Sequence, residues 1–169
     1  MINRNGCLNY KPIRSPITYF GGKHRLLKDF LKYVPLDTTK IISPFLGGGA
    51  IELNLRLLGM EVIASDLDQS LVNFWRYFLY DPTTVIQNSK CLLSRSNRAD
   101  MKDKKEDWFA KKQYESLYDA CMFYLYNRLS FAGRMEKYFV RDFHVINNDY
   151  YIVSKRKKNL CVKRLFAFD

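Results

Sequence analysis

Ile41-Ile42-Ser43-Pro44-Phe45-Leu46-Gly47-Gly48-Gly49-Ala50-Ile51-Glu52 is the stretch around which the chain is organised. A short apolar segment leads into three consecutive glycines. A helical pattern follows, with Leu53, Leu57 and Leu58 expected on one face. Strand, glycine turn and helix in that order make a cradle suited to a nucleotide-like ligand. Glycine lets backbone approach a ligand with no Cβ in the way, and the start of the helix offers free N–H groups. A plain strand-to-helix turn uses glycine too, so the triple glycine is not decisive alone.

The neighbouring segments extend the pattern. Residues 40–43 read as the strand before the loop and residues 61–66 as the next strand, with the helix between them stopped by Gly59. That is a βαβ unit, whose strands lie parallel. Asp66, 17 positions after Gly49, ends the second strand. An acid there can accept hydrogen bonds from both hydroxyls of a ribose, or cap the helix that starts near Gln69. Ser65 and Asp68 could serve as that cap as well.

Upstream, residues 1–15 are polar and basic and read as an arm or loop. Tyr19-Phe20-Gly21-Gly22-Lys23 then runs aromatics into a glycine turn, and helical spacing begins at Leu26, Leu27, Phe30 and Leu31. A cation at a helix start opposes the helix dipole. Lys23 therefore either faces an anion, such as a ligand carboxylate, or is a solvated surface lysine.

Downstream, Leu71, Phe74, Trp75, Phe78 and Leu79 form a core-facing helical stripe ending at Asp81-Pro82. Residues 88–112 are rich in lysine and arginine and read as polar helix and loop. Leu117, Ala120, Cys121, Tyr124, Leu125 and Arg128 mark a further helix, with residues 121–126 as core. Asn127-Arg128-Leu129-Ser130-Phe131-Ala132-Gly133-Arg134 follows, and then residues 137–145 alternate aromatics with charges. That alternation suits either base stacking and phosphate pairing or an ordinary β-hairpin. Residues 155–158 are four cations in a row. No internal repeat or low-complexity tract is present.

Composition bounds the reading. The chain has 169 residues, 47% of them hydrophobic, enough for one domain with a small insert. A net charge of +11, from 28 Lys+Arg against 17 Asp+Glu, favours an anionic partner, most simply nucleic acid. Cys7, Cys91, Cys121 and Cys161 are scattered and only His24 and His144 accompany them, so no metal site is expected. Reduced thiols with no visible secretory signal suit an intracellular setting, cytoplasm or nucleoid, compatible with viral or phage origin. No apolar run reaches about 18 residues, so no membrane span is expected.

Tyr19-Phe20-Gly21-Gly22-Lys23, Pro44-Phe45-Leu46-Gly47-Gly48-Gly49-Ala50 and Ala64-Ser65-Asp66-Leu67-Asp68, in that order and spacing, resemble the Dam-type N6-adenine DNA methyltransferases. Residues 127–134 resemble, more loosely, a stretch of that family's recognition insert. The likeness runs from about residue 16 to 145.

The resemblance implies S-adenosylmethionine as cofactor. Tyr19, Gly21, Gly22 and Lys23 would hold it, Phe45, Gly47, Gly48 and Gly49 would pack beside its amino-acid part, and Asp66 would bind its ribose. It implies double-stranded DNA as partner, with Arg128, Ser130, Arg134, Lys137 and Arg141 as candidate contacts. The implied fold class is α/β: a partial Rossmann-like methyltransferase sheet with a mostly helical DNA-recognition insert. Residues 1–87 would be the cofactor half, 88–150 the insert, and 151–169 a basic tail returning toward the sheet.

One family feature is missing. The family acts through an Asp/Asn-Pro-Pro-Tyr/Phe tetrapeptide, and this sequence contains no Pro-Pro. Asp81-Pro82-Thr83-Thr84 lacks the second proline and the aromatic. The chain is expected to stop about where the tetrapeptide strand would begin, with residues 160–166 as the strand before it. No catalytic residue is therefore assigned. Two functions compete. One is a methyltransferase whose sheet and active site are completed by a second protein chain, the other a binding module without chemistry. A purely structural role is a third reading that leaves Tyr19, Lys23 and Asp66 without a reason.

Overall fold

The computed structural model describes residues 11–111 and 113–135, and the backbone of three strands within residues 143–164. The chain divides into two units, one ending at Leu67 and the other starting at Asp68.

In the first unit, a 3-10 turn at His24–Leu26 runs into α1 (Leu27–Lys32), followed by β1 (Lys40–Ser43), α2 (Ala50–Leu57) and β2 (Glu61–Ala64). β1 and β2 pair in parallel, with Ile41 opposite Val62 and Ile42 opposite Ile63. Alternation sends Ile41 and Val62 to one side of this ribbon. There they pack on Leu27, Leu31, Leu55 and Met60, and each such buried side chain contributes about 2 kcal/mol of transfer free energy. Gly59, at φ 89°, ends α2 as expected. Its N–H bonds the Arg56 carbonyl and the Met60 N–H bonds that of Leu55. This six-to-one and five-to-two pair is a Schellman stop, and its accompanying apolar contact is Met60 on Leu55.

One expectation is corrected here. The face of α2 that is buried is Ala50, Asn54 and Leu55, whereas Leu57 is 57% exposed. Asn54 is fully buried because its side-chain amide does backbone work. Its Oδ1 accepts from the Ile13 N–H at 3.0 Å and its Nδ2 donates to the Ile13 carbonyl at 2.9 Å. Of the two forms expected for the segment before Pro16, arm or loop, residues 11–15 take the loop, pinned to α2; residues 1–10 lie outside the described residues.

The second unit holds α3 (Gln69–Tyr80), α4 (Pro82–Ser94), α5 (Arg98–Ala110) and α6 (Leu117–Leu129), then strands β3 (Phe143–Ile146), β4 (Asp149–Arg156) and β5 (Asn159–Arg164). Each helix start has a side-chain cap. Asp68 accepts from the Ser70 and Leu71 N–H groups, and Asp81 from those of Thr83 and Thr84, with Pro82 at the first helical position. Asn97 with Asp100 and Ser116 with Asp119 form capping boxes. The polar stretch after residue 88 is therefore continuous helix on either side of a short break at residues 95–97.

α6 is the axis of this unit. Residues 119–127 are all buried; this takes in residues 121–126, expected as core, and a helix buried all round belongs inside. Phe74 of α3 stacks on Phe123 and Tyr124, with centroids 5.3 and 5.7 Å apart. Trp108 of α5 meets Tyr126 at 5.6 Å.

The last three strands form an antiparallel meander in the order β3-β4-β5. Of the strand expected over residues 160–166, residues 160–164 lie in β5, which pairs with β4; 165 and 166 lie outside the described residues. The described residues are thus mixed α/β and mostly helical, with a two-stranded parallel sheet. No helix among them is long and apolar enough to cross a membrane.

Candidate functional site

The loop from Ser43 to Gly49 leaves the carboxyl end of β1 and is held on two sides. Toward β2, the Leu46 N–H bonds the Ser65 carbonyl and the Ser65 N–H bonds that of Ser43, both at 2.9 Å. The Gly47 N–H donates to Asp66 Oδ2 at 2.8 Å. Gly47 and Gly49 are left-handed, at φ 48° and 63°, and the Gly49 N–H returns to the Leu46 carbonyl at 2.9 Å.

The other side is covered by Tyr19. A Cβ on Gly47 would stand 3.0 Å from Tyr19 Cε1, and one on Gly48 would stand 2.9 Å from Tyr19 Cβ. The close approach that these glycines permit is therefore made, in this structure, by the tyrosine. Tyr19 keeps 39% of its surface exposed and Phe45, on the same loop, 80%. The Tyr19 carbonyl accepts from the Gly22 N–H at 3.0 Å, and Gly21 turns at φ 78°.

Lys23 sits just before the 3-10 turn, and its Nζ donates to the Gly21 carbonyl. An ammonium has three donors, so this bond leaves capacity for an anion. Asp66 likewise keeps acceptor capacity beyond Gly47, since a carboxylate offers about four lone-pair sites. The capping alternative for Asp66 does not hold, because Asp68 caps α3.

Tyr19, Gly21, Gly22, Lys23, the glycine loop and Asp66 thus gather at one end of the first unit, joined through Tyr19 and Asp66. Sequence reading missed two residues there. Ser43 Oγ donates to Glu52 Oε1 at 2.6 Å. The available signal was a hydroxyl residue ending a strand and an acid in the first turn of the helix after it.

In the second unit, Arg128 and Arg134 are half-buried. Ser130 is 3% exposed, and its Oγ has no hydrogen-bond partner among the described residues. Ala132 between them is at φ 53°, a left-handed residue with a Cβ, which costs about 1–2 kcal/mol. Lys137 and Arg141 lie outside the described residues.

The sequence model of the D12 class N6 adenine-specific DNA methyltransferase family matches residues 19–168. The chain belongs to this family. Over 120 residues, 71% of the chain, it is 28% identical to a DNA N-6-adenine-methyltransferase of Escherichia phage P1. Over 72 residues, 43% of the chain, it is 31% identical to modification methylase StsI of Streptococcus sanguinis. The matched parts span 16% and 11% of those two methyltransferases.

Proposed function

We propose that the glycine-loop end of the first unit binds S-adenosylmethionine, and that the chain takes part in methylating adenine N6 in double-stranded DNA. One observation carries the cofactor reading. Three motifs far apart in sequence meet at one loop through Tyr19 on Gly47 and Gly48 and through the bond from Gly47 to Asp66.

The donor set fits the ligand's chemistry. Lys23 supplies a cation for a carboxylate, and Asp66 an acceptor for ribose hydroxyls. Tyr19 and Phe45 supply aromatic surface, and Gly21, Gly22 and Gly47–Gly49 supply backbone without Cβ atoms. When bound, S-adenosylmethionine supplies an electrophilic methyl group. The chain's part is to hold that molecule in one orientation, with Asp66 fixing loop and sugar together. The β1–α2–β2 unit acts as the first crossover of a Rossmann-like sheet.

Arg128 and Arg134, with Lys137 and Arg141, meet DNA phosphates or bases, as the +11 charge favours. Ser130, being buried, supports this segment from within rather than touching the duplex. The Asp/Asn-Pro-Pro-Tyr/Phe tetrapeptide is not among these 169 residues. It would come from outside these residues, and a second protein chain that also completes the sheet is the source we propose.

Calorimetry with S-adenosylmethionine tests the cofactor reading. Wild type binds. Asp66→Asn keeps an acceptor for the Gly47 N–H yet binds at least about tenfold more weakly, the worth of a charge-assisted hydrogen bond. Full affinity in Asp66→Asn with loss in Asp66→Ala would reduce Asp66 to a loop fastener. Methyl transfer to adenine-containing DNA is then assayed with and without candidate partner chains. Binding without transfer in every combination favours the module that does no chemistry. DNA affinity falling steeply with salt marks the phosphate contacts.

A further inference from the structure

The described part of the first unit contains five acids: Asp29, Asp37, Glu52, Glu61 and Asp66. Asp29 pairs with Lys32 on α1 at 2.7 Å, and Glu61 with Lys40 at 3.0 Å where the two strands begin. Asp37 lies in the connection leading into β1. Only Glu52 and Asp66 stand at the carboxyl ends of the strands, the end where open parallel sheets take ligands. Asp66 is tied to Gly47. Glu52 is in the first turn of α2, three residues after Gly49, and is half-buried.

The Ser43 hydroxyl, at the last position of β1, donates to Glu52 Oε1 at 2.6 Å. This bond bridges the strand before the glycine loop and the helix after it. It fixes a carboxylate between the two ends of the loop. The helix start favours an acid there, and the hydroxyl satisfies only one of the carboxylate's acceptor sites.

The amino-acid end of S-adenosylmethionine is a zwitterion. Lys23 answers its carboxylate, but none of the residues assigned above answers its ammonium. Resting on the cofactor reading, we infer that Glu52, oriented by Ser43, is the counter-ion of that α-ammonium group. Ser43 is a positioning residue. It contacts the carboxylate and leaves the ligand to Glu52.

The test is calorimetry on the full chain with three probes. S-adenosylmethionine carries ammonium and sulfonium, S-adenosylhomocysteine only the ammonium, and 5′-methylthioadenosine neither. Glu52→Gln preserves an acceptor for the Ser43 hydroxyl, so the fold is kept and thermal melting verifies this.

The expected result is that Glu52→Gln weakens the first two probes alike, by about tenfold or more, and leaves the third within about twofold. Ser43→Ala, which frees the carboxylate without removing it, weakens the same two probes less and spares the third. Equal weakening of all three probes would overturn the inference in favour of a loop-shape effect. Weakening of S-adenosylmethionine alone would assign Glu52 to the sulfonium instead. No weakening would leave the Ser43–Glu52 bond purely structural. A wild type that binds none of the probes fails the cofactor reading itself and takes this inference with it.

Discussion

Gly47→Ala should expose two separate costs, and the structure sets the size of each. The first is conformational. Gly47 is at φ 48°, and a Cβ in the left-handed region costs about 1–2 kcal/mol. The second is steric. The new methyl would lie 3.0 Å from Tyr19 Cε1 and 3.2 Å from Cδ1, where carbon contacts normally begin at about 3.5 Å. Loop or ring must retreat by roughly 0.5 Å, which in a packed site costs about 1–2 kcal/mol. Neither retreats freely. The Gly47 N–H is bonded to Asp66, and the Tyr19 carbonyl to the Gly22 N–H. The total is about 2–4 kcal/mol.

A double-mutant cycle separates the two. In a Tyr19→Ala background the steric part disappears, so Gly47→Ala should cost only about 1–2 kcal/mol. Amide hydrogen exchange at Leu53 and Leu55 in α2 gives the opening free energy of this unit. Fluorescence would not, because Trp75 and Trp108 both lie in the second unit. An identical cost in both backgrounds would refute the claim that Tyr19 is what the glycine approaches. A cost near zero in both would refute the left-handed conformation as well.

Three further outcomes are expected. Asn54→Ala removes both bonds to Ile13 and leaves that backbone unsatisfied, costing about 2–4 kcal/mol and speeding protease cleavage near residue 13, read by mass spectrometry. Asp119 is nearly buried. Burial raises its pKa, but the Ser116 hydroxyl and the Lys111 ammonium at 2.9 Å outweigh this, and the net shift is downward. Its contribution is therefore complete above the unfolded value of about 4 and is lost as pH falls through the lower folded value; urea unfolding followed by tryptophan fluorescence should show Asp119→Asn destabilising at pH 7 and progressively less so as pH falls below about 4. Burial pushes the Cys121 thiol up to about 11 whereas Cys91 is exposed, so a thiol reagent on the native protein should label Cys91 at once and Cys121 only on unfolding, as peptide mapping would reveal.

The parts of the fold legible in sequence were those fixed by local chemistry. β1, β2 and the Gly59 stop follow from short apolar runs and a glycine whose φ must be positive. α3 and α6 follow from their apolar period, and Asp81-Pro82 marks the end of α3; that α4 starts at Pro82 was not read. The illegible parts depend on long-range partners. Asn54 looks like a polar interruption of α2 until Ile13, 41 residues away, provides its bonds. In α6 the apolar run 121–126 marks the core, but nothing local shows that the polar Asp119 and Asn127 beside it are buried as well. Whether residues 159–164 pair with β4 or with the parallel strands depends on register and topology, which a strand's own composition does not encode. In the site, residue types marked the three motifs, but only the fold shows that Tyr19 and Asp66 join them.

That joining changes how mutations here must be read. Tyr19 and Asp66 shape the loop through contacts within the chain, and they are also the residues proposed to touch the cofactor. A site closed by its own side chains is preorganised, which lowers the entropy lost when a ligand binds. It also means that deleting either residue perturbs loop and ligand together, so lost binding in an alanine variant says little about direct contact. Substitutions that keep the internal bond and alter only the outward chemistry, such as Asp66→Asn or Glu52→Gln, separate the two roles. The steric lock of Tyr19 on Gly47 and Gly48 has no such isosteric escape, so there the double-mutant cycle is the decisive measurement.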